Sequence, residues 1–431
     1  MAIEQKTNDA FRSTRILYLF ECAFENFISI LVSGVYFAKL TASIGISDSM
    51  TAILIEITSL AALFQLITVV ISHKPPFKRW VLPAQIIAEC LFGLLYLIPL
   101  LNIGVFSSLL FFITVLISKI IKSITAPLKQ TWFLSLVDDR KRGEFSSLVS
   151  IVSRVGHIGF VFSIGLTLDY FEKKNEIETA FIIFSIMIFV LTALDILSLI
   201  FSKEKKITVI KKESTAKSLK NLWKNKKFVR IVILFALSAF ATSLVSSFLS
   251  TYQIKELGFS MTFIATLDTV ITILGIPVLF FIGKLSRRFS YSRLLYVSFI
   301  LKFIEYFMLV FTTPENGAFL FTAYKVLAIF SGALDIVTVS NIIFDVVPYS
   351  ERASGLSLKA VFVGLTGFLT VLAVSPFLNY VQENGNKFLG INAYAQQFLA
   401  AGSAFMMLVL IVYYHFGCRK LLEEKEDISA E

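Results

Sequence analysis

The chain has 431 residues, 56% of them hydrophobic and only 16% charged, with 40 Lys/Arg against 30 Asp/Glu. A soluble globular domain carries about a quarter of its residues as charges, so this composition, with a mean hydropathy of +0.78, excludes one. The net charge of +10 suggests nucleic acid only until the charges are located, and most of them lie in the connections between long apolar segments.

After the opening MAIEQKTNDAFRSTR, apolar segments recur near 13–41, 49–72, 80–101, 105–136, 144–170 and 179–201. No cleavable leader is expected, because the first segment is too long for a signal core. The stretch from Lys203 to Arg230 then carries eleven Lys/Arg in twenty-eight residues. Six more apolar segments follow near 229–254, 261–283, 293–312, 317–346, 355–381 and 394–417. Each approaches or exceeds the roughly 20 residues that take a helix across a hydrocarbon core of about 30 Å. They are too long and unbroken for barrel strands of about ten alternating residues, and in lipid each backbone N–H and C=O must be bonded inside its own element. The expected fold class is therefore an all-α polytopic membrane protein with twelve transmembrane helices. Residues 1–202 form one six-helix bundle, 203–228 a cytoplasmic basic linker, 229–418 a second bundle and 419–431 a cytoplasmic tail.

The charges set the orientation. With the N-terminus, the even-numbered connections and the C-terminus on one side, that side holds 28 of the 40 Lys/Arg, against five on the other (Lys39, Lys173, Lys174, Lys255 and Lys387). Basic residues resist translocation, so the rich side is cytoplasmic and both termini are inside. An integral protein of a bacterial cytoplasmic membrane is expected, with the lipid bilayer as its first partner and anionic headgroups near the basic stretch. Cys22, Cys90 and Cys418 lie in or at the ends of apolar segments and are expected as small buried hydrophobes rather than a disulfide framework.

The two halves resemble each other. Arg15-Ile16 with Leu19-Phe20 is echoed by Arg230-Ile231 with Leu234-Phe235, and Ile44-Gly45-Ile46-Ser47 by Leu257-Gly258-Phe259-Ser260. Met50-Thr51 returns as Met261-Thr262, and the connection around Arg142 returns around Arg352. Four matches in order at nearly constant shift indicate a duplicated six-helix unit. Because six is even, both copies enter the membrane from the same side and form parallel repeats.

After the eighth segment the chain reads Gly283-Lys284-Leu285-Ser286-Arg287-Arg288-Phe289-Ser290-Tyr291-Ser292-Arg293. This is similar to G-x-L-x-D-R-x-G-R-R, the loop signature of the major facilitator superfamily of secondary transporters, with Arg287 in place of the acid. The fourth segment, Leu116 to Ala126, resembles the family's L-x-x-x-R-x-x-Q-G-x-G-A-A, with Lys119 at the Arg position and Lys122 at the Gln position. Together with six plus six helices and a basic central loop, these motifs make the chain resemble that family over its whole length. The resemblance implies transport by alternating access, a proton-coupling role near Lys119, and a cytoplasmic gate at Arg142, Gly283, Arg288, Arg293 and Arg352. The fifth segment lacks the Gly-Pro pair of drug/proton antiporters, so no subfamily is assigned.

Charges inside the membrane are costly and are functional candidates by default. Glu21 and Glu25 stand one helical turn apart, share a face, and are the proton-coupling candidates. The alternative pairs each of them with Lys119, Lys122 or Arg154. Asn26, Lys119, Lys122, Arg154, His157, Asp268, Lys325 and Asp335 are the substrate-cavity candidates, the basic ones suited to an anionic solute. Lys302 and Glu305 are three apart and are expected to pair. Glu56 lies one residue from the repeat counterpart of Asp268, while Asp195 and Lys359 lie nearer the cytoplasmic end, where gate pairing or snorkelling is expected.

Clustered metal ligands and a phosphate-cradling Gly-rich motif with Lys-Ser/Thr are both missing from the sequence, so no metal, no cofactor and no ATP-driven step is expected. No nucleophile and base can be nominated, and the chain reads as a transporter rather than an enzyme. The expected function is proton-coupled secondary transport of a small charged organic solute by a monomer, with no nucleic-acid partner. Two other readings stay open: an exporter of amphiphiles or drugs, and a transport-inactive membrane sensor or lipid-handling protein.

Overall fold

The computed structural model describes residues 11–64, 76–101, 105–134, 136–137, 142–204, 221–286, 288–347 and 352–418. Among the described residues, each apolar segment holds helix. In chain order these are α1 (Arg12–Leu31), α2 (Gly34–Ser43), α3 (Asp48–Ala61), α4 (Lys78–Leu95), α5 (Val105–Leu134), α6 (Arg142–Lys173) and α7 (Ile177–Phe201). After the basic stretch come α8 (Lys226–Ser246), α9 (Met261–Leu285), α10 (Tyr291–Val310), α11 (Gly317–Val346), α12 (Arg352–Glu383) and α13 (Ala395–Tyr413). Two-residue strands β1 (Lys387–Phe388) and β2 (Ile391–Asn392) pair antiparallel between α12 and α13.

Seven of the described helical spans are long and apolar enough to cross a membrane alone, and the bent pair α1 and α2 makes an eighth. The pair is one segment broken by 43° at Ser33-Gly34. Gly34 has φ +59°, a left-handed conformation open to glycine at little cost, which is what lets the chain turn there. Large apolar side chains such as Phe106, Phe280 and Phe319 are more than 70% exposed, as expected for surfaces that meet lipid tails. Most of the Phe-rich character is thus spent on the bilayer and on helix contacts.

The duplication is visible in the packing. In the first half α1 packs on α6 and α7, and α4 on α5 and α7. In the second half α8 packs on α12 and α13, and α10 on α11 and α13, which are the same four pairings. The echoed tetrapeptides also share a backbone conformation, with Gly45 at φ +72° and Gly258 at φ +65° in the turns that lead into α3 and α9. A sequence match at these positions is a match in turn geometry.

The chain divides into two compact units whose limits differ from the midpoint of the sequence. Unit 1 comprises Met1–Ser47, Leu60–Ile210 and Ser260–Thr269; unit 2 comprises Asp48–Ser59, Lys211–Phe259 and Val270–Glu431. A buried aromatic cluster of unit 1 gathers Tyr18, Trp132 and Phe133, with Tyr18 and Phe133 stacked at 4.1 Å. In unit 2, Ala52 of α3 packs with Phe248, Val371, Leu378 and Leu399. Apolar contact gives little driving force between helices already in lipid, so close van der Waals fit and interhelical hydrogen bonds carry the association. Glycine supplies that fit at two comparable crossings, Gly165 against Met261 in unit 1 and Gly364 against Ser59 in unit 2.

Candidate functional site

Unit 1 contains a network of charged side chains built by four helices. From α1 come Glu21 and Glu25, one turn apart on the same face as the sequence spacing requires. From α5 come Lys122 and Lys129, two turns apart and therefore also on one face. The α4 pair Gln85 and Glu89 and the α7 residue Asp195 complete it.

The lysines stitch the carboxylates together. Lys122 Nζ is 2.8 Å from Glu25 Oε1 and 2.6 Å from Glu89 Oε1. Lys129 bonds both Glu21 Oε1 and Glu25 Oε2. Gln85 Nε2 donates to Glu89 Oε1 at 2.8 Å and to Asp195 Oδ2 at 3.0 Å. Cys22 Sγ lies 3.4 Å from Glu21 Oε2 and donates to it. Glu21, Glu89, Asp195 and Gln85 are all buried, so these interactions act in a low-dielectric interior where charge pairing is strong and an unpaired charge is costly.

The expected choice of partners for Glu21 and Glu25 is therefore corrected. Lys122 is one of them, but the second is Lys129 rather than Lys119 or Arg154. Lys119 places its ammonium 5.7 Å from the centre of the Phe92 ring and forms no ion pair among the described residues. Glu89, Gln85 and Lys129 are the participants that sequence reasoning missed. The available signal was spacing: Gln85 and Glu89 are four apart, and Lys122 and Lys129 seven apart, each pair on one helical face. Asp195, expected near a gate, is fully buried against Gln85.

The other candidates separate into smaller groups. Asp268 belongs to unit 1, within electrostatic reach of His157, which also faces Arg154 on α6. Asn26 is half-buried and makes no hydrogen bond among the described residues. In unit 2, Lys302 on α10 pairs with Asp335 on α11 at 2.5 Å, and Ser298 donates to the other oxygen of Asp335 at 2.6 Å. The expected Lys302–Glu305 pair is absent among the described residues. Glu305 is 3% exposed with Oε1 unpartnered, because α11 offers Lys302 a carboxylate in better reach than its own helix does. Lys325 lies 5.8 Å from the Phe321 ring centre and Lys359 lies 5.5 Å from that of Phe235. Glu56 accepts from Ser247 Oγ at 2.6 Å.

Among the proposed gate residues, Arg288 and Arg293 are exposed around the turn into α10, where Ser290 Oγ caps the helix by accepting from the Arg293 N–H. Gly283 lies in the last turn of α9, its carbonyl accepting from Ser286 Oγ at 2.9 Å. Arg142 and Arg352 open α6 and α12, and their side chains lie outside the described residues.

The model of the Major Facilitator Superfamily matches residues 19–371. Among solved structures, a variant of the nucleoside transporter NupG aligns with a TM-score of 0.73 at 14% identity, covering 94% of this chain and 98% of that one. A bacterial homologue of the human lysosomal transporter Spinster, inward-facing and unoccupied, aligns at 0.69 and 14% identity over 97% and 98% of the two chains. The D-xylose–proton symporter aligns at 0.69 and 12% identity over 93% and 96%. At such identities the likeness concerns the fold. No curated protein matches the sequence.

Proposed function

The chain belongs to the major facilitator superfamily of secondary transporters, and from that premise we propose that it moves a small charged organic solute by alternating access, driven by protons. The observation that carries this reading is the network on α1, α4, α5 and α7, in which Lys129 bonds Glu21 and Glu25 at once. Three carboxylates, Glu21, Glu25 and Glu89, share two lysines, so the network holds more acid than base. Adding a proton to Glu21 or Glu25 releases Lys129 to the other, and loss of the proton restores both bonds. A pairing that changes with one proton gives the helices two arrangements of similar energy, which is what coupling requires.

Lys119 and Arg154, which form no ion pair among the described residues, supply positive charge for the solute, with His157, Asn26 and Asp268 of the same unit as further contacts. The symporters for D-xylose and fucose among its structural neighbours support proton coupling without naming a solute for this chain. The excess of Lys/Arg on one side supports cytoplasmic termini, and the resemblance to the family's loop signature supports Arg142, Gly283, Arg288, Arg293 and Arg352 as the cytoplasmic gate. The protein works as a monomer in a cytoplasmic membrane.

The test is reconstitution in liposomes under an imposed pH gradient, with solutes chosen by ligand-induced thermal shift. Uptake should follow the gradient in the wild type and lose its pH dependence in the Glu21→Gln/Glu25→Gln double variant. Unchanged pH dependence in that variant would remove the proton assignment.

A further inference from the structure

One carboxylate of the network differs from the other three. Glu21, Glu25 and Glu89 each touch a lysine, whereas among the described residues Asp195 is hydrogen-bonded to Gln85 alone, at 3.0 Å. Asp195 is fully buried, and its Oδ1 has no partner among the described residues; Gln85 Oε1 and Glu89 Oε2, of the same network, have none there either. The charged groups facing Asp195 are Glu21 from α1, Glu89 from α4, and Lys122 and Lys129 from α5. Those facing Glu89 are Asp195 itself, Glu25, Lys122 and Lys129. α6 also packs on α7 and adds no titratable group to this neighbourhood among the described residues.

Four carboxylates against two ammonium groups leave two surplus negative charges if every acid is ionised. Both lysines are already engaged with Glu21, Glu25 and Glu89, so Asp195 would be an anion out of water with no cation bonded to it. Such a group is neutralised rather than carried as a charge. Gln85 is built to hold the neutral form. The Asp195 oxygen that accepts from Gln85 Nε2 at 3.0 Å can be the carbonyl oxygen of the neutral acid, so this bond needs no charge and leaves the Gln85–Glu89 bond in place.

We propose that Asp195 is the proton store of this protein: a neutral acid ending a hydrogen-bonded chain that runs through Gln85, Glu89, Lys122, Glu25 and Lys129 to Glu21. The inference rests on the proton-coupled reading and deepens it, since Glu21 and Glu25 change partners as the proton moves and Asp195 is where it waits. Asp195 holds and releases the proton and takes no part in binding the solute. The transfer balances: the proton leaving Asp195 is taken by a carboxylate of the chain, and the lysine released from that carboxylate turns to the other.

Infrared spectroscopy of the full chain in phosphatidylcholine vesicles at neutral pH tests this without any solute. A protonated carboxylic acid has a C=O stretching band that a carboxylate lacks. One such band is expected in the wild type, shifted in heavy water, lost in Asp195→Asn and retained in Glu21→Gln. Asparagine has the shape of aspartic acid and keeps a bond to Gln85, so this variant is the one expected to fold. As a second probe, Gln85→Leu should move the band to higher frequency by removing its hydrogen-bond partner. The proposal is overturned if no band is present, if the band survives in Asp195→Asn, or if sodium chloride removes it at constant pH, which would put a metal cation in place of the proton. A band that behaves as expected in a protein without gradient-driven uptake would keep the proton on Asp195 and reject the transport reading instead.

Discussion

Asp169 on α6 accepts the backbone N–H of Met261 at 2.9 Å and so holds the first residue of α9. Its second oxygen takes the N–H of Thr262 at 2.8 Å, leaving the carboxylate seated over the helix N-terminus. The bare N–H groups of a first turn want such an acceptor, and the helix dipole favours a negative one. Asp169→Ala should lower stability by about 0.5–2 kcal/mol for the lost cap. Asp169→Asn, which keeps one acceptor, should lose less. Thermal unfolding in detergent orders the two, and equal melting temperatures for Ala, Asn and wild type would show that the cap contributes nothing.

Glycine at the close crossings makes a second prediction. A Cβ on Gly165 would stand 2.9 Å from the Met261 carbonyl oxygen, and one on Gly364 would stand 2.6 Å from that of Ser59. Backbone atoms cannot turn aside as a flexible side chain does. Gly165→Ala and Gly364→Ala should each cost about 1–3 kcal/mol, the range for overpacking. Gly159→Ala on α6, which meets nothing within 4 Å, should instead be neutral or gain about 0.5–1 kcal/mol from helix propensity. The three melting temperatures against wild type decide it, and a loss at Gly159 equal to that at Gly165 would refute the steric account.

Much of the fold was legible because lipid imposes length. A helix must run its apolar course before a charge or turn can end it, so the edges at Met261, Gly317 and Phe201 fall where the sequence places them. The repeat was legible for a related reason: Gly45 and Gly258 occupy a left-handed turn that other residues enter only with strain. The ion pairs were less legible. Spacing along one helix tells which side chains share a face, and it found Glu21 with Glu25. It does not tell which helix stands opposite, so the spacing points neither to Lys129 as the partner of Glu21 nor to Asp335 as the partner of Lys302. The compact units include an exchanged segment each, Asp48–Ser59 and Ser260–Thr269, which apolar length alone does not announce.

Removing Lys129 should expose how the network is balanced. Lys129→Met leaves Glu21 and Glu25 without the cation they share, and breaking a buried pair in this way costs about 3–5 kcal/mol. Adding Glu21→Gln and Glu25→Gln to Lys129→Met should recover most of the loss, since no ionised group of that trio then remains. Unfolding free energies of the single, double and triple variants check it. A triple variant no more stable than Lys129→Met would mean that Lys129 acts through packing.

The choice of partner by Lys302 can be measured directly. Lys302 bonds Asp335 at 2.5 Å, and Asp335 is further held by Ser298 at 2.6 Å, so substitution at either end should be felt at the other. A double-mutant cycle of Lys302→Met with Asp335→Asn should give a coupling of about 0.5–3 kcal/mol, the range for residues in contact. The same cycle with Glu305→Gln should give less than about 0.5 kcal/mol, as for residues that share no bond. Asp335→Asn alone should also destabilise more than Glu305→Gln, because it strands an ammonium in the bundle, whereas Glu305→Gln exchanges one buried polar group for another of the same shape. The opposite order of couplings would restore the pairing along α10 and detach Asp335 from Lys302.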